Sequence, residues 1–230
     1  MQQLPCYGDE RVAAYCAFCG GATGTRDHCP SRILLDDPLP ENLPVVPACA
    51  ACNSSFSSHE EYFACLVSCA LAGSTEPENM HRAKTKRILK EKPLLRAKIE
   101  NSRSVSQSGV LFVPEQERVL AVVTKLAQGH ALHELHVSCA RKPDEVRCIP
   151  LSLLTQAQRE SFEQPEFANG WPEVGSRAMQ RMLIVGNDVT PGEWITVQPA
   201  RYRYHASQIG GVEVRIVIHE YLACHVHWAH

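Results

Sequence analysis

The sequence carries almost no net charge, with 23 Lys and Arg against 25 Asp and Glu for a formal −2 at pH 7. The whole-molecule field therefore does not attract nucleic acid, and any contact with a polyanion must come from a local basic patch. There is no apolar run long enough to span a bilayer, and no N-terminal run joining a basic start to an apolar core. Membrane insertion and secretion are not expected, and a cytoplasmic location is. The cysteines are not an even set: there are 11, and four of them have metal-site spacing, which points to a reducing compartment and not to a disulfide framework. The remainder, 44% apolar and 21% charged residues over 230 positions, is ordinary globular composition for one large domain or two small ones.

Residues 15–63 organise the chain. Cys16-x2-Cys19 and Cys49-x2-Cys52 are two knuckles of the kind that present paired thiolates to one tetrahedral zinc ion. The segment between them is longer than in a simple zinc ribbon and contains Asp27-His28, then Pro30, then Asn42-Leu43. Asn53 follows the last cysteine directly.

This order of knuckle, Asp-His, Asn-Leu, knuckle and Asn resembles the HNH endonucleases of the ββα-metal type, in the version whose finger is held by four cysteines. The resemblance covers roughly the first third of the chain. It implies a hairpin ending in Asp27-His28, a loop anchored by Asn42, and a helix starting near the second knuckle with Asn53 on it.

The chemistry can be built from the residues. Hydrolysing a phosphodiester needs a water, a group to accept its proton, and positive charge near the phosphorus and leaving oxygen. His28 suits proton acceptance, because imidazole titrates near neutrality. Asp27 and Asn53 offer hard oxygens that suit Mg²⁺ or Mn²⁺ better than a second zinc. Adjacent residues on a regular strand point to opposite faces, so Asp27 and His28 converge only where the strand ends or kinks, and Pro30 makes an end there reasonable. Asn42 is expected to bond loop backbone, not substrate.

From Asn53, apolar residues at helical spacing run through Leu71, with Gly73 as the stop. His59 and Glu60 lie on this helix, His59 as an extra ligand or a packing residue and Glu60 as a supporting group. Residues 82–98 gather Arg82, Lys84, Lys86, Arg87, Lys90, Lys92, Arg96 and Lys98, and Pro93 suggests helix, break, helix. They form either a phosphate-contacting patch or a solvated face diluted by Glu91 and Glu100.

After a Ser/Gln/Asn-rich spacer at 101–109, strands are expected at 110–113, 146–150, 182–185, 194–204 and 212–218. Helices are expected at 118–136 and 151–162, and a loop around Pro165, Gly170 and Pro172. At the tail, Leu222, Cys224, Val226 and Trp228 alternate with His225 and His227, which reads as a half-buried strand and not as a metal site. Arg201, Tyr202, Arg203 and Tyr204 read as an ordinary strand or an aromatic-basic nucleic-acid strand. Cys6, Cys29, Cys65, Cys69, Cys139 and Cys148 read as small buried hydrophobes.

The sequence thus predicts an α+β protein in three parts: a zinc-stapled ββα-metal domain at 1–75, a basic helical connector at 76–105, and an α+β domain with an antiparallel hairpin at 106–230. The third part would recognise substrate, form a homo-oligomer, or bind a regulator. The expected activity is endonucleolytic cleavage of DNA, RNA remaining open, with His28 as general base, Asp27 and Asn53 on a catalytic Mg²⁺ or Mn²⁺, and a structural Zn²⁺ on Cys16, Cys19, Cys49 and Cys52. The alternatives are a zinc-stabilised module that binds nucleic acid or protein without cutting, and a dithiol redox protein.

Overall fold

A computed structural model describes residues 13–41, 43–106, 109–164, 175–184, 194–208 and 210–229. In chain order its elements are β1 (Thr25–His28), β2 (Val45–Ala48), α1 (Ala50–Ser55), α2 (Ser57–Ala72), α3 (Ala83–Glu91), α4 (Pro93–Asn101), β3 (Arg103–Ser106) and β4 (Gly109–Phe112). Then come α5 (Gln116–His130), a π-helical turn (Ala131–Leu135), β5 (Glu145–Pro150), α6 (Gln156–Glu163), α7 (Arg177–Ile184), β6 (Ile195–Gln198), β7 (Tyr202–Ser207), β8 (Gly211–Ile218) and β9 (Leu222–Ala229). All strand pairings are antiparallel, so the fold class is α+β.

The chain divides into two compact units, residues 1–55 with 123–230, and residues 56–122. The first unit is discontinuous in sequence, with residues 56–122 between its two parts. The knuckles share a unit with the C-terminal sheet, and the intervening helices form the other.

In the first unit, β1 and β2 form a hairpin in which Thr25 faces Ala48 and His28 faces Val45. The sheet runs in the order β5-β9-β8-β7-β6. Alternation sorts its side chains: Tyr202, Tyr204, Val214, Ile216, Cys224, Val226 and Trp228 are buried on one face. The end of α5 packs here, with the His130 ring stacked on Tyr204 at 3.6 Å and its Nε2 2.7 Å from the Tyr202 hydroxyl. The opposite face buries Val217 and Ala223 with Leu151, against Leu154, Phe162 and Trp194 beside α6. Thr155 caps α6 with a capping box, its hydroxyl accepting from Gln158 N.

In the second unit, α2 is apolar over most of its circumference, burying Tyr62, Phe63, Cys65, Leu66, Val67 and Cys69, and ends at Gly73 in the left-handed region, as expected. Pro93 opens α4 after the break at Lys92.

Three expectations are corrected. The spacer contains a strand, because β3 pairs with β4 from Arg103 opposite Phe112 to Ser106 opposite Gly109. Residues 182–184 end helix α7 and are not a strand. An apolar run this short has no decisive period, and Ser176 caps the helix by accepting from Met179 N at 3.1 Å. Residues 194–204 form two strands with a turn at Ala200, which has φ 58°. The loop expected around Pro165, Gly170 and Pro172 lies outside the described residues, as do Cys6 and Val185.

Candidate metal centre and the Asp27-His28 site

Each knuckle is shaped by its backbone. Cys16 N donates to Gly21 O at 2.7 Å and Gly20 N to Cys16 O at 2.9 Å, closing the first turn, with Gly20 supplying φ 71°. Ala17 N donates to Pro47 O at 2.9 Å, tying that turn to β2, which leads into the second knuckle. Cys52 N donates to Cys49 Sγ at 3.3 Å as α1 begins.

The sulfurs of Cys16, Cys19, Cys49 and Cys52 all lie within 4.8 Å of one another, and those of Cys19 and Cys49 are 3.9 Å apart. Tetrahedral Zn–S bonds of ~2.3 Å put sulfurs ~3.8 Å apart, so the cluster fits a metal ion such as zinc. Its electrostatics call for one. Burial would raise the Cys16 thiol, but backbone N–H groups of Cys49, Phe18 and Cys19 bring it down to about 7, while burial and the neighbouring sulfurs push Cys52 up. A divalent cation among the four sulfurs permits all of them to ionise.

The Asp27-His28 pair ends β1, where the strand stops before Cys29 and Pro30. Asn53 on α1 donates through Nδ2 to Arg26 O at 3.2 Å and to Thr25 Oγ1 at 3.3 Å, clamping the helix to β1 next to the pair. Among the described residues, the bonds of the Asn53 amide are to Thr25 and Arg26, not to Asp27 or His28. Asn42 lies outside the described residues. His59 and Glu60 sit on α2, in the second unit.

Lys125 was not legible as part of this site. From the middle of α5, its side chain is 3% exposed and its Nζ lies 2.7 Å from Asp27 Oδ2, whose side chain is 14% exposed. The same ammonium donates to Ser31 Oγ at 3.2 Å and stands 5.6 Å from the centre of the Phe18 ring, inside the first knuckle. At the next residue, Leu126 O accepts from Cys29 Sγ at 3.3 Å, and one turn on from Lys125, Gly129 lets the helix close on Cys29, where a Cβ would meet that sulfur at 2.5 Å. A single helical face thus backs the first knuckle, the end of β1 and the loop beyond it.

His28 Nδ1 is buried without a hydrogen-bond partner. Burial lowers the imidazole below its ordinary value, and Arg32 and Lys125 add to that, against Asp27, which raises it. The lowering favours the neutral ring at pH 7.

The other expected sites resolve differently. Lys86 and Lys90 pair with Glu78, Lys92 with Glu61, Arg96 with Glu76 and Lys98 with Glu115, so much of the basic stretch is neutralised locally. Arg201 pairs with Asp36, Arg203 with Glu163 and Glu220, and Tyr202 and Tyr204 are buried. In the tail, His225 Nε2 lies 2.7 Å from Glu213 Oε1. Among the described residues, no helix is long and apolar enough to cross a membrane.

Comparisons with protein-family models, with curated proteins and with solved structures each return no match.

Proposed function

We propose that the chain is an HNH-type endonuclease that hydrolyses phosphodiester bonds of DNA, with residues 16–55 as its metal-stapled ββα element. One observation carries the reading. A four-cysteine cluster joins a hairpin ending in Asp27-His28 to a helix whose Asn53 is bonded to that same strand. A finger that only held structure would not need this combination.

In this reading the neutral His28 ring takes the proton of the attacking water. Asp27 and Asn53 would hold a divalent ion through the oxygens their other contacts leave over, Lys125 approaching Asp27 Oδ2 and Asn53 donating through Nδ2. Mg²⁺ or Mn²⁺ bound there would stabilise charge on the phosphorane and the leaving 3′ oxygen. Lys125 holds the carboxylate in place and adds a positive charge beside it.

The test is plasmid nicking with Mg²⁺ or Mn²⁺ against EDTA. Wild type should cut, and His28→Ala should lose cutting while keeping its zinc content and melting curve. Cleavage by that variant would remove His28 as base.

A second reading, a zinc-stabilised binding module without catalysis, is favoured by the Asp27–Lys125 ion pair, which commits the expected metal carboxylate to a structural partner. A plasmid retarded on a gel but uncut under every metal condition would select it.

A further inference from the structure

Cys148 and Cys224 lie opposite each other on β5 and β9, with their sulfurs 3.0 Å apart. That spacing is well inside the contact distance of two separate sulfur atoms, and the sheet register supplies the rest of the geometry. Leu151 N donates to Tyr221 O at 2.7 Å, one step past the Pro150–Leu222 pair. Hydrogen-bonded pairs alternate along an antiparallel ladder, so Ile149–Ala223 and Arg147–His225 are bonded pairs, and Cys148–Cys224 is non-bonded. Pro150, which has no N–H, falls in the same non-bonded phase. In non-bonded pairs the Cα atoms stand ~4.5 Å apart, inside the ~4.4–6.8 Å range that disulfides span.

We propose that Cys148 and Cys224 form a redox pair that closes into a cross-strand disulfide on exposure to hydrogen peroxide. Closure requires side-chain rotation, not backbone movement. Cys224 is 0% exposed, whereas Cys148 is half-buried on the edge strand and is the sulfur that the oxidant reaches. Burial raises the Cys224 thiol well above its ordinary value, so Cys148 reacts first. The Cys148 thiolate attacks one peroxide oxygen, the O–O bond breaks, and the departing hydroxide takes a proton to become water, leaving a sulfenic acid. Cys224 Sγ then attacks the Cys148 sulfur, giving up its proton as the sulfenic hydroxyl leaves as a second water. Two thiols lose two electrons, and one peroxide becomes two waters. The product fastens the edge strand β5 to β9, and with it the short segment from which α6 starts.

The pair can be read unambiguously by peptide mapping, because tryptic peptides 148–159 and 216–230 each contain one cysteine. The purified protein is treated with hydrogen peroxide, quenched with N-ethylmaleimide and digested. The expected product is a cross-linked pair of these peptides, two hydrogens lighter than their sum, separated by phosphine and absent from Cys148→Ser. In Cys224→Ala, where the sulfenic acid has no partner, Cys148 should instead be labelled by dimedone. Oxidised wild type should melt at a higher temperature than reduced wild type, with no such rise in Cys148→Ser. Recovery of the two wild-type peptides singly, alkylated or oxidised to sulfinic acid, once the peroxide is consumed would overturn the proposal.

Discussion

Replacing Lys125 with methionine keeps most of the side-chain volume and removes the charge. Two unit charges 2.7 Å apart attract by ~6 kcal/mol at an effective dielectric of ~20. Desolvation of both ions offsets much of this, so the net worth of the pair is small. Removing one partner differs from removing both. With Lys125 gone, the Asp27 carboxylate is left at 14% exposure without that partner, and breaking such a pair costs ~3–5 kcal/mol. Lys125→Met should therefore lose that much stability in urea titrations followed by tryptophan fluorescence, which reports the first unit because all three tryptophans, Trp171, Trp194 and Trp228, fall in its 123–230 segment. Lys125→Met with Asp27→Asn should recover most of the loss, since neither charge remains. Mn²⁺ should stabilise Lys125→Met more than wild type, by up to ~2.7 kcal/mol at a hundredfold excess over its Kd, because the carboxylate then lacks its internal cation. A single variant as stable as wild type, or a double-mutant coupling below ~1 kcal/mol, would refute the buried ion pair as the support of Asp27.

Two further outcomes are expected. Cys49→Ser should release the bound zinc and lower the melting temperature, since structural zinc contributes ~10–16 kcal/mol of apparent binding energy in finger peptides; an unchanged melting curve and metal content would count against the four-thiolate centre. Burial, helped by Arg215 and opposed by Glu213, holds His205 down at about 4 in the folded protein. The unfolded chain takes up a proton below pH ~6.5 that the fold refuses. Stability should therefore decline as pH falls from ~6.5 to ~4, by ~3 kcal/mol for this residue. His28 and His130, also lowered by burial, act in the same direction, so the quantity to measure is the flattening in His205→Gln. An identical pH slope in the variant would contradict the burial of that ring.

The parts legible in the sequence are those encoded by local spacing. The two knuckles, the end of β1 at His28, the Gly73 stop of α2 and the Pro93 start of α4 are set by residues within a few positions of one another, and the alternation of Leu222, Cys224, Val226 and Trp228 places β9 correctly. What was missed depends on partners distant in sequence. Arg103–Ser106 has the composition of a spacer, and pairing with Gly109–Phe112 makes it a strand. Lys125 sits among Val122, Val123 and Leu126 in an amphipathic helix, where nothing local distinguishes a lysine that pairs with a carboxylate at Asp27 from one that reaches solvent. Gly129 reads as a mid-helix weakness until Cys29 is seen against it. The basic stretch was visible, but not its neutralisation, because Glu61, Glu76, Glu78 and Glu115 come from neighbouring elements.

The contact of Cys29 with Leu126 joins residues 97 positions apart. A ribosome therefore releases both knuckles long before it makes the helix that backs them, and through that interval Asp27 has no ammonium beside it and Cys29 no helix against it. Ion capture by the nascent thiols can precede this docking, but the Asp27–Lys125 pair cannot. A fragment ending at residue 75 would contain every cysteine of the cluster and still lack the wall behind its acid.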